Sequence, residues 1–434
     1  MFKCTGNCAE CGRCYPQYIT ESRNFQGVTS GFLREFAKSP ITGEKDCFGM
    51  AVDVGTTTIA GYLYKLPECE LIDTICIPNS QARFGADVIS RIEYANNGGL
   101  LELQAVVQMQ IDRIAAAFGQ SIETLVITGN TAMLHMLVGL ESRTLAVAPF
   151  TPLSLFGEWS DKLQTPALQG VKVYLPRCIS SYVGADITTG ILASGMMLDK
   201  RSFLVDIGTN GEMALWNGER LATCSTAAGP AFEGAGIAAG CPAISGAINK
   251  VYIKKTENGE YRIMYTTIDD SAPIGICGTG IIDAIACMVK LGIIDETGYM
   301  EENFQIGDSG VAITPDDIRQ VQLAKSAIAA GIDTLLHECG LTAVDVEKFY
   351  IAGGFGNYID RESCAAIGLI PSEVLDKVVI LGNAAGIGAG MILQSSECLA
   401  ESERIGEIAE TVDLATNPHF MNAYVEKMMF GGVE

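Results

Sequence analysis

Four cysteines crowd the start of the chain, Cys4, Cys8, Cys11 and Cys14 in "MFKCTGNCAECGRC". A C-x3-C-x2-C-x2-C spacing lets four thiolates surround one metal centre without a preorganised fold, and Gly6 and Gly12 ease the wrapping. A 4Fe-4S cluster is the first expectation for this segment. Structural zinc is the alternative, because tetrahedral four-thiolate zinc uses similar spacings. An unmetallated redox-active set is the third reading. The chain has three histidines, His135, His337 and His419, and none is near the four cysteines, so a mixed cysteine and histidine site is not expected. Fifteen cysteines in all, an odd number scattered through Gly-rich apolar segments, fit a reducing compartment better than a disulfide scaffold. Cys224, Cys241 and Cys277 read as packing residues.

A second chemistry is written twice. In "AVDVGTTTIAGYLY" an apolar run ends on Asp53, Gly55 permits a close turn that exposes backbone N–H groups, and Thr56, Thr57 and Thr58 offer hydroxyls. Such a turn suits a polyphosphate: N–H groups and hydroxyls donate to its oxygens while the neighbouring carboxylate holds a hydrated magnesium ion. "LVDIGTNGEMAL" repeats the phrase with Asp206, Gly208, Thr209, Asn210, Gly211 and Glu212, 153 residues further on. One copy alone reads equally well as a hairpin with a polar tip. Two copies, each opening an equivalent stretch of chain, point to facing hairpins that grip one nucleotide from both sides. A third Gly-rich turn follows a strand in "FYIAGGFGN", where Ala352, Gly353 and Gly354 would let a flat base or ribose lie against the backbone.

The elements that must hold these residues divide the chain into blocks. Residues 1–46 form a cysteine-rich, metal-binding segment and linker. Residues 47–198 read as one α/β lobe: a strand pair, the helix "LLELQAVVQMQIDRIAAAFG", the strand "TLVITGN" and the Gly-containing helix "VGADITTGILASG". Residues 199–400 repeat that order, with a helix starting at Thr314 as N-cap, Pro315 at the first helical position and Asp317 at the third. Residues 401–434 read as a C-terminal tail packing on a lobe or on a dimer partner. At 434 residues the chain exceeds one ordinary core. Its formal charge of −22, from 29 basic and 51 acidic residues, gives no footprint for nucleic acid and opposes an anionic membrane surface. With no apolar stretch long enough to span a bilayer and no apolar h-region at the start, a cytoplasmic protein is expected. His135, inside the apolar "TAMLHML", reads as a core histidine rather than a ligand.

This ordered set resembles the superfamily of acetate and sugar kinases, heat-shock chaperones and actin, in which two similar lobes clasp ATP in a hinged cleft. More narrowly, residues 48–400 resemble the reductive activators of corrinoid proteins. The motifs that carry this are "DVGTTTIA", "FGADVISRIEYA", "TGNTAMLHML", "VGADITTGILASG", "DIGTNGEMAL", "CSTAAGPAFEGAGI", "ICGTGIIDAI", "IAGGFGNYID" and "GNAAGIGAGMIL". The resemblance implies a two-lobed, actin-like α/β ATPase fold with ribonuclease H-like duplicated lobes. By it, Asp53, Thr56 and Thr57 match the first phosphate turn, and Asp206, Thr209, Asn210 and Glu212 the second. Gly353 and Gly354, with Phe355 beside them, match the adenosine turn. "AGPAFEGAGI" brings Gly229 to the cofactor-binding set, and Glu233 as a contact for magnesium-bound phosphate or water, or else as a structural carboxylate. The helices after Val183 and Asn383 match the connecting helices of the interlobe hinge.

The same resemblance implies an N-terminal ferredoxin-like domain with a plant-type two-iron cluster. Here only 52 residues precede Asp53, and the four cysteines stand in that domain's place. The expected activity is ATP hydrolysis coupled to transfer of one electron from the N-terminal iron-sulfur cluster to the oxidised cobalt of a corrinoid protein. ATP and Mg2+ are the expected cofactors beside the cluster. A corrinoid protein of a methyltransferase system and an upstream electron donor are the expected partners, and a homodimer is implied by the family alone. Three other readings share parts of this pattern. An activator of 2-hydroxyacyl-CoA dehydratases joins the same ATPase fold to a 4Fe-4S cluster, but with its cysteines inside the ATPase body. A small-molecule kinase of the same superfamily needs a sugar or acetate pocket. A nucleotide-switched scaffold would carry zinc.

Overall fold

The structure is a computed structural model that describes residues 36, 38–41, 47–66, 68–163, 165–354 and 358–431. Cys4, Cys8, Cys11, Cys14 and Phe355 lie outside the described residues.

Strands β1 (Cys47–Val54), β2 (Thr58–Leu66) and β3 (Glu70–Pro78) form an antiparallel meander. β4 (Ile122–Gly129), β5 (Glu158–Ser160) and β6 (Lys172–Leu175) extend the sheet beyond β1, giving the order β3-β2-β1-β4-β6-β5. In the second lobe β7 (Ser202–Ile207), β8 (Gly211–Trp216) and β9 (Leu221–Thr226) repeat the meander. A small sheet of β10 (Ala247–Lys255), β11 (Tyr261–Thr267) and β12 (Gly275–Ile276) and a ribbon of β13 (Phe304–Gln305) and β14 (Ala312–Ile313) intervene. Then β15 (Lys348–Gly353), β16 (Val378–Gly382) and β17 (Ala409–Thr411) complete the order β16-β15-β7-β8-β9-β17. The path 3-2-1-4-6 in the first lobe is the path 9-8-7-15-16 in the second, with the same parallel and antiparallel pairings. The duplication read from the two Asp turns therefore extends to whole sheets.

Sequence reading found a strand pair in each lobe where the structure has three strands. β3 is exposed or half-buried along its length, so it lacks the apolar alternation that marks a strand. The helix beginning at Thr314 runs Pro315–Glu338, and its start is a capping box in which Thr314 and Asp317 satisfy each other's backbone N–H groups.

Three apolar cores result. Leu103, Val107, Ile111 and Ile114, three or four residues apart on the helix Leu100–Phe118, press on the first sheet. The helix Pro315–Glu338 covers the second sheet in a separate core. The third core joins the lobes: Ala51, Tyr62 and Val126 from the first sheet and Leu204, Ala214 and Tyr350 from the second enclose the helices Ala185–Ser194 and Ala384–Gln394. These two connecting helices cross at almost backbone contact, where a Cβ on Gly388 would lie 2.0 Å from the Thr189 carbonyl oxygen. Gly386 and Gly390, one turn apart, lie against Tyr62 and Tyr64 on β2, where added Cβ atoms would stand 2.4 Å and 2.3 Å from the phenol rings' outer atoms.

Residues beyond 401 pack mainly on the second lobe. They finish the helix Ser396–Ile408, add β17 to the second sheet, and lay the helix Pro418–Glu426 along the helix Pro315–Glu338. His419 Nε2 meets Asp333 Oδ2 at 2.7 Å, and Gln322 and Lys325 donate to the carbonyls of Met428 and Met429. The apolar face of the last helix thus seals the second core.

The helix crossing sets a stability expectation. Gly388→Ala places a methyl group inside the contact with Thr189 and should destabilise the protein by about 2–3 kcal/mol, read as a lowered midpoint in thermal or denaturant unfolding.

Candidate functional site

Asp53 and Asp206 occupy the same place in the two sheets, the penultimate residues of β1 and β7. Each strand is apolar and buried up to that point, so the carboxylate emerges where the strand leaves its sheet. Asp53 lies opposite Ala60 in β2 and Thr128 in β4, and Asp206 opposite Glu212 in β8 and Ala352 in β15. Both turns close through backbone: the Gly55 N–H donates to the Thr58 carbonyl at 2.9 Å, and the Gly208 N–H to the Asn210 carbonyl at 2.9 Å. The Thr58 side chain itself points out at the start of β2 and is exposed.

The lobes touch through polar groups at this level. Thr57 Oγ1 of the first turn donates to Glu233 Oε2 at 2.5 Å, and Thr209 Oγ1 of the second turn donates to Glu233 Oε1 at 3.1 Å. Gly229, at φ +79°, starts the short turn Pro230–Glu233 and ties it down by an N–H bond of 2.9 Å to the Thr209 carbonyl. Asn383 Nδ2 donates to Asp53 Oδ2 at 2.8 Å while its Oδ1 caps the helix Ala384–Gln394 at the Gly386 N–H. Asn130 caps the helix Thr131–Val138 and turns its amide to Thr56 Oγ1 at 3.3 Å. Beneath this turn the buried Arg91 guanidinium donates to the Thr56 carbonyl at 2.7 Å and to the Gly85 carbonyl at 2.9 Å.

Charge is concentrated where these contacts converge. Burial pushes Asp53 up to about 6, against the opposing pull of the Asn383 amide. Burial, then the charges of Asp53 and Glu233, push Asp206 up to about 7. Asp186, the second residue of the helix Ala185–Ser194, is pushed up to about 8 by burial and by Asp53 and Asp206. Glu212 lies well above the usual carboxylate range, again by burial first and then by Asp186, Asp206 and Asp53, and its Oε1 is buried with no hydrogen-bond partner. Four carboxylates this close cannot all ionise without a compensating cation. Hard oxygen donors in a cleft fit magnesium, and the unpartnered Glu212 oxygen is a position such a hydrated ion would satisfy. Among the described residues no three carboxylates, cysteines or histidines form a direct cage for one ion. Magnesium would accordingly be shared with ligand oxygens and water, its ordinary mode beside a nucleotide.

The structure brings Asp53, Gly55, Thr56, Thr57, Asp206, Gly208, Thr209, Asn210, Glu212, Gly229 and Glu233 to one cleft. Gly211 has a different use: a Cβ there would stand 2.7 Å from Thr226 Oγ1 and 2.9 Å from Ile328, so its small size serves the second core. Gly353, at φ +115°, lies against Asp206, where a Cβ would approach Oδ1 to 2.9 Å and the Ile207 carbonyl to 2.3 Å. Gly354 faces open space. Sequence reasoning passed over Asp186, Asn383, Asn130 and Arg91. Asn383 and Asn130 carried a signal, since an Asn before a helical apolar run is an N-cap. Asp186 carried only a weak one, an acidic residue in the first turn of an otherwise apolar helix.

Comparison with known proteins follows the same division of the chain. Residues 48–199 match the family described as the RACo middle region, and residues 200–433 match the C-terminal domain of RACo, the ASKHA domain. The chain is 36% identical to the corrinoid activation enzyme RamQ of Eubacterium limosum, over 89% of this chain and 71% of that protein. It is 30% identical to the [Co(II) methylated amine-specific corrinoid protein] reductase of Methanosarcina barkeri, over 87% of this chain and 75% of that protein. A solved structure titled reductive activator for corrinoid, iron-sulfur protein superposes with a TM-score of 0.82 at 34% identity, covering 90% of this chain and 67% of that one.

The carboxylate cluster predicts how stability varies with pH. Asp206 is an acid whose pKa in the folded protein is raised to about 7, so between about 4 and 7 the folded chain binds more protons than the unfolded one, and stability falls as pH rises. Asp206→Asn removes that cost. In chelator, it should be more stable than the parent by roughly 1–3 kcal/mol at pH 8, an advantage that shrinks steadily toward pH 4. A variant less stable than the parent at pH 8 would show the carboxylate to be satisfied in some other way.

Proposed function

The chain belongs to the RACo family of reductive activators of corrinoid proteins, and on that footing we propose that ATP bound between its two lobes drives one electron onto the oxidised cobalt of a corrinoid protein. The chain is an ATP-using reductive activation enzyme with an actin-like ATPase domain. The observation that carries the site assignment is the meeting of two equivalent phosphate turns on one carboxylate, with Thr57 and Thr209 both donating to Glu233.

The residues suggest a division of labour. The turn hydroxyls of Thr56, Thr57 and Thr209 and the backbone around Gly55, Gly208 and Gly229 donate to phosphate oxygens. Asp53 and Asp206 face each other as holders of a hydrated magnesium ion, and Asn383 keeps Asp53 aimed into the cleft through its 2.8 Å bond. Asp186, with its proton affinity raised into the neutral range, is the base that would take a proton from attacking water. Gly353, lacking a side chain, lets its strand end pack against Asp206, and Gly354 beside it leaves space for the nucleoside. Bound magnesium would neutralise phosphate charge, and a 4Fe-4S cluster at Cys4, Cys8, Cys11 and Cys14 would supply the electron.

Coupling needs a two-state element, and the two lobes provide one. Nucleotide that bridges both turns favours the closed arrangement, and that preference is the work available to the partner. For one electron about 59 mV corresponds to a factor of ten, roughly 1.4 kcal/mol, so a gap of a few hundred millivolts requires several kcal/mol of differential binding. The corrinoid protein is the target; an upstream electron donor and a homodimer complete the proposal.

Two measurements test it. Phosphate release should be stimulated by a corrinoid partner and should fall about 100-fold or more in Asp53→Ala and in Asp206→Ala; unchanged hydrolysis in both variants would remove the site assignment. Protein purified without oxygen should hold about four irons with matching acid-labile sulfide, bleached by dithionite and lost in Cys8→Ser. Zinc in its place would take the electron source out of this chain.

A further inference from the structure

Glu233 occupies the point at which a phosphoryl group would have to meet both lobes. One of its oxygens accepts from the first turn and the other from the second, at 2.5 Å from Thr57 and 3.1 Å from Thr209. Two oxygens of one anionic group, each satisfied by a threonine hydroxyl from a different lobe, is the arrangement a bridging phosphoryl group would adopt. A hydroxyl has a single hydrogen and donates to one acceptor at a time. Phosphate and Glu233 therefore cannot hold Thr57 and Thr209 together. The carboxylate also stands beside Gly208, where a Cβ would lie 3.4 Å from its Oε1, so it sits inside the second phosphate turn rather than at its edge. Its carrier is a turn of four residues, Pro230–Glu233, bounded by Gly229 at φ +79° and Gly234 at φ +80°. Gly229 bonds through its N–H to the Thr209 carbonyl, Gly234 packs tightly on the Cys241 carbonyl, and Ala231 and Phe232 are buried between them, so the turn is anchored and release of the hydroxyls falls to the Glu233 side chain.

We propose that Glu233 is an internal stand-in for a nucleotide phosphoryl group, one that holds the two phosphate turns to each other and must release both hydroxyls before ATP can bridge them. This rests on the reading of the cleft as an ATP site. It makes Glu233 a specificity-determining residue: only a ligand whose oxygens reach both hydroxyls recovers what the displaced carboxylate gives up. Binding of ATP exchanges one cross-lobe bridge for another, so the gain on ATP binding is reduced by the strength of the clasp.

The exchange is tested by calorimetric titration with ATP in saturating magnesium, so that the cation the facing carboxylates call for is present in every titration. Glu233→Ala and Glu233→Asp are compared with the parent, after each has been shown to unfold cooperatively. Aspartate keeps the charge but is shorter by one carbon–carbon bond, about 1.5 Å, and cannot reach both hydroxyls. The stand-in role predicts that both variants bind ATP about tenfold more tightly than the parent, as expected when a charge-assisted competing bond is removed. Tighter binding in Glu233→Ala with parental affinity in Glu233→Asp would reduce the effect to charge repulsion and overturn the proposal. Equal or weaker binding in both would overturn it as well, leaving the ATP site intact. If neither the parent nor the variants bind ATP, the reading of the cleft fails, and the stand-in fails with it.

Discussion

Like charge facing like charge across the cleft is the constraint around which the molecule is organised. Asp53 and Asp186 come from the first lobe, Asp206, Glu212 and Glu233 from the second; burial raises the proton affinity of the inner four, and repulsion adds to it for Asp186, Asp206 and Glu212. Left to electrostatics the lobes would separate. They are held by apolar packing behind the cleft, where two connecting helices built on Gly and Ala cross between the sheets. Small residues at that crossing let backbones approach closely, which recovers dispersion and excludes water where the carboxylates repel. The cleft is thus balanced: ionised carboxylates resist closure and the crossing helices resist separation.

Such an arrangement suits an activator that must convert nucleotide binding into work on another protein. A site stable without its ligand would gain little on binding it. Here the unpartnered Glu212 oxygen and the raised acids are an electrostatic cost held in the fold, one that protonation or a bound cation relieves. The same polar contacts tie the cleft to the connecting helices. Asn383 caps the second connecting helix with one end of its amide and holds Asp53 with the other, so a shift of that helix moves a carboxylate of the opposite lobe. Arg91 supports the first turn from below through the Thr56 carbonyl, binding turn geometry to the helix Val88–Tyr94.

Much of this was written in the linear chain. The two Asp turns were legible because an apolar strand ending in Asp-x-Gly-Thr is a local signal, and its recurrence marked the duplication. The start of the helix at Thr314 was legible for the same reason, since a capping box is made by residues three apart. The third strand of the first meander was not. β3 is an edge strand exposed on much of its surface, and its place depends on pairing with β2 rather than on its own pattern. The terminal segment could be read only as packing on a lobe or on a partner copy, because its amphipathic face says that it packs, but not on what.

The sequence by itself determined which residue types stand at the strand ends and turns: two carboxylates, three threonines in the first turn and one in the second, and the small residues of the connecting helices. The tertiary structure decided which of them meet. Glu233 joins Thr57 from 176 positions away and Asn383 joins Asp53 from 330 positions away, and Asp186 enters the cleft only because its helix begins beside both strand ends. Local rules describe how a residue treats its neighbours within a turn of helix or strand. The partners of a carboxylate in a cleft are chosen by the packing of two lobes, and that choice is stored in no short stretch of chain.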